Sequence, residues 1–265
     1  QDKPFETAED ILMHLLDGGF PSASYFRLQT VGTYLADFHP FAFALIDLTA
    51  YHSQYLGTRH LKQEIGDRFP DSHSFLYKGD VFLFLHKERD AETFSDLEKE
   101  FGLKVIVSDP IHDLFALPLL YRAAHDALDM IVKSNYHGGN VCSVSQLRTP
   151  LLLKNLDSRD DLISPELRVL AEHDRKKGTQ YCETLYLYLI YSRSLKKTCD
   201  ALFTHRNTVL YRIGRMRDDF LIPLDDPARH TELLLGTALL LFQKEGPDFF
   251  MRALPQADDD ETRIE

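Results

Sequence analysis

A chain of 265 residues is long enough for about two domains, and 44% hydrophobic with 27% charged residues is globular composition that excludes wholesale disorder. The net charge of −11 argues on its face against a nucleic-acid partner, because phosphate binding asks for a basic surface. The three cysteines, Cys142, Cys182 and Cys199, lie far apart with no CxxC pair, which suggests neither a zinc site nor a disulfide framework and fits a reducing compartment.

The first elements are two partly apolar helices, Thr7 to Leu16 and Ser24 to Leu35, joined by the breaker cluster Asp17-Gly18-Gly19-Phe20-Pro21. Residues 1–39 therefore read as a helical lead-in. Phe41 to Asp47 has the length and aromatic content of a buried strand. A helix is expected between Tyr51 and Phe69. Strands Ser74 to Tyr77 and Val81 to Leu85, split by Lys78-Gly79-Asp80, read as a hairpin. A helix from Ala91 to Phe101 behind Asp90, a strand from Leu103 to Val107 and a helix from Leu114 to Val132 complete an α+β domain over residues 40–136, its sheet covered by helices on one face.

Residues 137–177 read as a helical connector, with Ser164-Pro165-Glu166 as a helix start. An all-α module follows over residues 178–247, and residues 248–265 form an acidic tail, of which Asp258 to Glu265 is expected to be disordered. No apolar run approaches the roughly 18 to 20 residues that span a bilayer, and the first residues carry no signal-peptide pattern. A cytoplasmic protein with no membrane partner is expected. The chain opens on Gln1 rather than Met, which is expected of a piece of something longer.

The charge is unevenly spread. From Arg193 to Arg217 seven Lys or Arg stand against the single acid Asp200, a net of +6 that leaves −17 on the remainder. A basic island in an acidic chain is expected when one small module touches DNA and the rest is held off. Within the island, Leu195, Cys199 and Leu202 fall on one helix face, with Lys197 and Asp200 turned outward. After Phe203-Thr204-His205 a second helix carries Val209, Ile213, Met216 and Phe220 as its apolar stripe. At about 100° per residue the opposite face holds Asn207, Tyr211 and Gly214, with Thr208 and Arg215 beside them. Asn pairs with adenine, Arg with guanine, and Thr and Tyr meet phosphate or a thymine methyl. Gly214 lets the helix come close to the groove. Two short helices joined by about three residues, the second basic and polar outside, form the helix-turn-helix pattern. On charge and periodicity alone, a plain helical bundle with a solvated basic face explains the island equally well.

The run over residues 198–213, TCDALFTHRNTVLYRI, resembles the signature of the PucR/CdaR-type regulators, the purine-catabolism and sugar-diacid family. The likeness extends from Glu183-Thr184-Leu185 and Tyr188-Leu189 upstream to Leu224-Asp225-Asp226-Pro227 downstream, about residues 181–244, and Asp226-Pro227 caps a last helix with Leu233, Leu234, Ala238 and Leu241. Cys199 stands where the family usually has alanine. The resemblance implies double-stranded DNA as the partner and Arg206, Asn207, Thr208, Tyr211, Arg212 and Arg215, with Lys196 and Lys197, as the DNA-binding set. Arg212, nearer the edge of the face, is expected on phosphate.

Residues 40–133 resemble a degenerate GGDEF domain, with the ferredoxin-like palm of the diguanylate cyclases. Lys78-Gly79-Asp80-Val81-Phe82 occupies the signature hairpin, and Asp47-Leu48-Thr49 the place of a metal-binding acid pair. Magnesium held against a triphosphate needs hard carboxylates. Val81 and Thr49 replace two of them, and Asp80 has a simple turn role. No enzyme, metal or cofactor is therefore expected, and the domain serves dimerisation or senses a ligand. His112, His125, His137, His173 and His205 include no HExxH, Ser143-Val144-Ser145 lacks the glycines of a nucleophile elbow, and Tyr181, Tyr186, Tyr188 and Tyr191 read as packing.

The sequence thus predicts an α+β GGDEF-like domain followed by a helix-turn-helix domain: a sequence-specific transcription regulator, a homodimer by analogy, with a small-molecule effector left unidentified. The competing reading is a nucleotide-binding or cyclase-like module whose C-terminal helices serve assembly.

Overall fold

The computed structural model describes residues 7–48, 64–69, 72–87, 94, 98, 102–133, 136 and 138–252, in two compact units, Gln1–Leu151 and Leu152–Glu265. In the first unit α1 (Ala8–Leu16) opens on Thr7, whose backbone N–H donates to the Asp10 carboxylate at 2.9 Å while its hydroxyl accepts from Asp10 N at 3.1 Å. This reciprocal cap satisfies two otherwise orphaned donors. Ile11, Leu12, Leu15 and Leu16 form its buried stripe. α2 (Ala23–Thr30), capped by Ser22, stops well short of Leu35, because Val31 turns extended and a one-turn 3-10 helix, Tyr34–Asp37, takes over.

The sheet comprises β1 (Ala42–Asp47), β2 (Ser74–Tyr77), β3 (Asp80–Leu85), β4 (Lys104–Val107) and β5 (Val141–Ser143), in the order β2-β3-β1-β4-β5. β1 is antiparallel to both neighbours, and β2 is antiparallel to β3. The first four strands thus have the order of a ferredoxin-like sheet. The β2–β3 turn is Lys78-Gly79, with φ of 50° and 98°, the two positive angles that let a two-residue turn follow the twist of its strands. β5 pairs parallel to β4 through Val105↔Val141 and Val107↔Ser143. It lies in the segment read from the sequence as a helical connector.

Helices were expected on one face of this sheet, but both faces are covered. Every residue of β1 is buried, as a strand without alternation requires. On one face Ala42, Ala44 and Ile46 pack with Ile65 and Phe69, at and just after a helical stretch over 64–68, and with Phe94. On the other, Phe43 stacks on Phe82 at 4.3 Å, with Phe75 4.9 Å and Tyr121 6.4 Å from the same ring. Tyr121 belongs to α3 (Leu117–Lys133), preceded by a 3-10 turn at Leu114–Ala116. Most of the helices expected over 51–69 and 91–101, together with Asp90 and Thr49, lie outside the described residues.

The sheet brings two acids together. The antiparallel ladder pairs Ile46 with Val81, so one residue further on Asp47 lies beside Asp80, while Lys104 is opposite Asp47 on the other side. Burial first, and then the charge of Asp47, push the Asp80 carboxyl up to about 6, against a downward pull from His125. A carboxyl raised on folding favours the protonated fold, so the penalty is absent below its unfolded value near 4 and complete above about 6. Asp80→Asn is expected to stabilise the protein by about 1 kcal/mol at pH 8, a figure reduced for solvent screening, and to gain nothing near pH 4. Urea denaturation across that range measures it; a gain independent of pH contradicts the coupling.

In the second unit the helices are the end of α4 (Val144–Lys154), α5 (Pro165–Lys177), α6 (Tyr181–Ile190), α7 (Leu195–Leu202), α8 (Arg206–Asp218), α9 (His230–Glu245) and α10 (Asp248–Met251). Their core joins Leu167 and Leu170 of α5, Leu185 of α6, Met216 of α8, Leu233 and Leu241 of α9 and Phe249 of α10. α5, read from the sequence as connector, is thus part of this body, and so is Phe249, the second residue of the stretch read as tail. Residues 253–265 lie outside the described residues. Pro165 starts α5 as expected, although Ser164 at the N-cap makes no side-chain bond to the helix. Gly178 ends it at φ 64°, its N–H donating to Asp174 O at 2.9 Å, the left-handed helix stop that glycine adopts without steric cost.

The buried side chain of Asp174 then reaches over this stop to the next helix. Its carboxylate accepts from Tyr181 N at 2.9 Å, Cys182 N at 2.8 Å and the Thr179 hydroxyl at 2.6 Å. Asp174 is thus the cap that starts α6, supplied from seven residues upstream. Burial, and secondarily the Asp174 charge, push the Cys182 thiol far above its ordinary range. Among the described residues no helix is long and apolar enough to cross a membrane.

Candidate nucleic-acid interface

α7 begins at Ser194, whose hydroxyl accepts from Lys197 N at 3.4 Å. Leu195, Cys199 and Leu202 are only partly buried, and the residue at full burial is Thr198. The Thr198 hydroxyl donates to Ser194 O at 2.7 Å, and that bond allows a polar side chain in the seam. Lys197 and Asp200 are exposed, as the spacing predicts, and so is Lys196. α7 stops at Phe203, which takes the left-handed conformation, φ 49° and ψ 44°. Thr204 and His205 complete the turn, and Thr204 N donates to Cys199 O at 3.0 Å.

His205 occupies the N-cap of α8 and makes no side-chain bond to it, so the first amide donors of the helix have no side-chain cap. Val209 and Met216 are fully buried and Ile213 and Phe220 half-buried, which is the apolar stripe expected. The outer face carries Asn207 and Tyr211 exposed and Thr208, Gly214 and Arg215 partly so, and Arg206 is exposed where the helix begins. A Cβ built at Gly214 meets nothing within 4 Å, so packing inside this unit does not require a glycine there.

The cations of the basic island differ in what they do. The guanidinium of Arg212 donates to the Thr184 hydroxyl at 2.9 Å and to Gln180 Oε1 at 3.1 Å. It ties the second helix of the motif to the start of α6. Arg193 is turned to the segment after α8, where it bonds Leu224 O and His230 and lies 3.8 Å from Asp225. Arg215 donates to the Tyr211 hydroxyl at 2.9 Å, lies 5.9 Å from that ring's centre and pairs with Asp219. The Tyr211 bond first, and the charge of Asp219 after it, hold the Arg215 pKa above its ordinary value. Arg217 pairs with Asp218 at 3.1 Å. The side chains of Arg206, Lys196 and Lys197 are exposed without hydrogen-bond or ion-pair partners among the described residues.

Of the eight residues singled out in the sequence, Asn207, Thr208, Tyr211 and Arg215 therefore lie on the side of α8 away from its buried stripe, Arg206 is exposed at the first position of that helix, and Lys196 and Lys197 are at the start of α7. Arg212 has an intramolecular role as well. Asp174 was not singled out. Its only sequence signal is an acid placed shortly before a glycine stop and a new helix. Downstream, Asp226 caps a 3-10 turn, Pro227–Arg229, that runs directly into α9, its carboxylate accepting from Ala228 N at 3.0 Å.

Comparison with known proteins bears on this motif. The family model described as the PucR C-terminal helix-turn-helix domain matches residues 181–239. A relative, the proline-responsive transcriptional activator PutR of Bacillus subtilis (strain 168), is 22% identical over 259 residues. That alignment takes in 89% of this chain, which spans 62% of the relative's length. Among solved structures, a regulator of polyketide synthase expression from Bifidobacterium adolescentis aligns with a TM-score of 0.41 at 16% identity, over 88% of this chain and 96% of its own. The matched range runs from the first residue of α6 into α9 and encloses α7, its turn and α8. Residues 181–239 of this chain are a PucR C-terminal helix-turn-helix domain.

Proposed function

We propose that the protein is a transcription regulator of the PucR type that reads duplex DNA by sequence with α8. The observation that carries this reading is the exposed pair Arg206 and Asn207 in the first turn of α8, inside a domain that matches the PucR helix-turn-helix. Arg bonds guanine and Asn bonds adenine bidentately in the major groove. Thr208, Tyr211 and Arg215 extend the reading face, while Lys196 and Lys197 meet phosphate. Arg212 is the least available of the set, because contact with DNA would compete with its bonds to Thr184 and Gln180.

The chain acts as a homodimer in this reading, since one module contacts too few base pairs, whereas two recognition helices about 34 Å apart read two half-sites. It works in the cytoplasm, and a small-molecule effector sets its state. The sheet domain is a GGDEF-like scaffold for assembly or sensing and performs no catalysis. The boundaries read from the sequence, a lead-in over 1–39 and a DNA-binding module over 178–247, remain part of the proposal.

Selection of bound sequences from a random duplex pool by the intact chain tests this. A motif of two half-sites is expected. The logarithm of affinity for it should fall with the logarithm of salt at about 0.9 per phosphate contacted, and Lys197→Ala should lower that slope by about one contact. No enrichment, or an affinity indifferent to salt, refutes the reading.

A further inference from the structure

Phe203 has the most exposed of the large hydrophobic side chains among the described residues, 95% accessible. Its backbone is in the left-handed region, which costs a residue with a Cβ about 1 kcal/mol or more relative to glycine. Leaving a phenylalanine in water also forgoes about 2 kcal/mol of burial. Glycine would make the same turn without either cost. Folding of the helical unit does not account for the ring, which lies outside its core.

Its position does. Phe203 lies in the turn between α7 and α8, three residues before Arg206 and four before Asn207, at the end of α8 that presents those two side chains. The surface that DNA offers beside base edges and phosphates is apolar: deoxyribose C–H groups and thymine methyls, which phenylalanine contacts readily. Leu221 is an internal control. It too is left-handed, at φ 56°, and 76% exposed, but follows the opposite end of α8.

We propose that Phe203 is a DNA-contact residue whose ring lies against sugar and thymine-methyl surface at the edge of the groove entered by α8. The proposal rests on the DNA-binding reading above. An apolar contact of this kind adds affinity without releasing counterions, which separates it from Lys196 and Lys197.

The test measures anisotropy of a labelled duplex carrying the sequence selected by the wild-type chain, across salt, with Phe203→Gly, Phe203→Trp and Leu221→Gly in the full protein. Phe203→Gly is expected to keep or raise Tm and to weaken Kd by about tenfold with the salt slope unchanged. Leu221→Gly is expected within about twofold of wild type. The chain has no tryptophan, so Phe203→Trp supplies a single tryptophan, excited at wavelengths that tyrosine does not absorb, expected to restore affinity and to shift blue when duplex is added. Wild-type affinity in Phe203→Gly, an equal loss in Leu221→Gly, a fall in Tm on removing the ring, or a reduced salt slope each overturns the proposal. Failure of the wild-type chain to select any duplex overturns the DNA-binding reading itself, before a variant is compared.

Discussion

Asp174→Ala is expected to lower the unfolding free energy of the helical unit by about 3 kcal/mol and its melting temperature by roughly 10 °C or more. Three donors lose their acceptor at once, and Tyr181 N and Cys182 N belong to residues that are themselves buried. Water does not readily replace the carboxylate there. An ordinary exposed cap costs about 1 kcal/mol when removed, and the excess here comes from stranding two backbone donors in the interior. Asp174→Asn keeps one oxygen acceptor and should lose about half as much. Urea denaturation, read by far-ultraviolet circular dichroism, measures both. A loss under 0.5 kcal/mol for the alanine variant would mean that α6 starts by other means.

The consequence reaches the motif. The Tyr181 ring lies 5.6 Å from Phe220 just after α8 and 5.4 Å from His173. Thr184, one turn into α6, receives Arg212 of α8. The start of α6 thus holds α8 from two sides, so freeing it should loosen the helix on which Arg206 and Asn207 stand. DNA affinity in Asp174→Ala should fall with stability and return when temperature is lowered, unlike that of a contact-residue variant.

How much of this was legible beforehand depends on the range of the forces. The stripe Val209, Ile213, Met216 and Phe220 is a property of one helix, written in its own periodicity, and the structure buries or half-buries all four. The Lys78-Gly79 hairpin is equally local. β5 was missed because three residues after a glycine pair carry too little pattern, and its pairing with β4 is fixed from a distance of 36 positions. The expectation of helices on one face failed for a related reason. An apolar run such as Phe41 to Asp47 announces burial without saying on how many sides.

Within the motif the sequence gives residue types but not their commitments. Arg193 and Arg212 look as available as Arg206 when charges are counted, yet each is turned to a partner remote in the chain, Leu224 O and Thr184 respectively. The net of +6 over residues 193–217 therefore overstates the charge that the motif offers to a ligand. Thr198 was similarly hidden, because its burial depends on a hydroxyl bond to the preceding turn that composition does not reveal.

Arg206→Ala and Asn207→Ala are expected to weaken binding to the selected duplex by about 10- to 100-fold each, the 1 to 3 kcal/mol that a bidentate base contact discriminates. Neither residue has a fold-based role that competes with this: both are exposed in the first turn of α8, and neither lies in the core. Their melting temperatures should therefore match wild type, unlike that of Asp174→Ala. The two should also separate from each other. Asn207→Ala removes no charge, so its salt slope should be unchanged and its affinity for random duplex intact. Arg206→Ala removes a charge, and with guanine as its target the slope changes by less than one contact and the selected motif loses its preference at one position in each half-site. Repeating the selection with each variant reads these losses directly. An unchanged motif in both variants would remove the first turn of α8 from the reading surface and leave Tyr211 and Arg215, one and two turns further along and already bonded to each other, as the residues to test next.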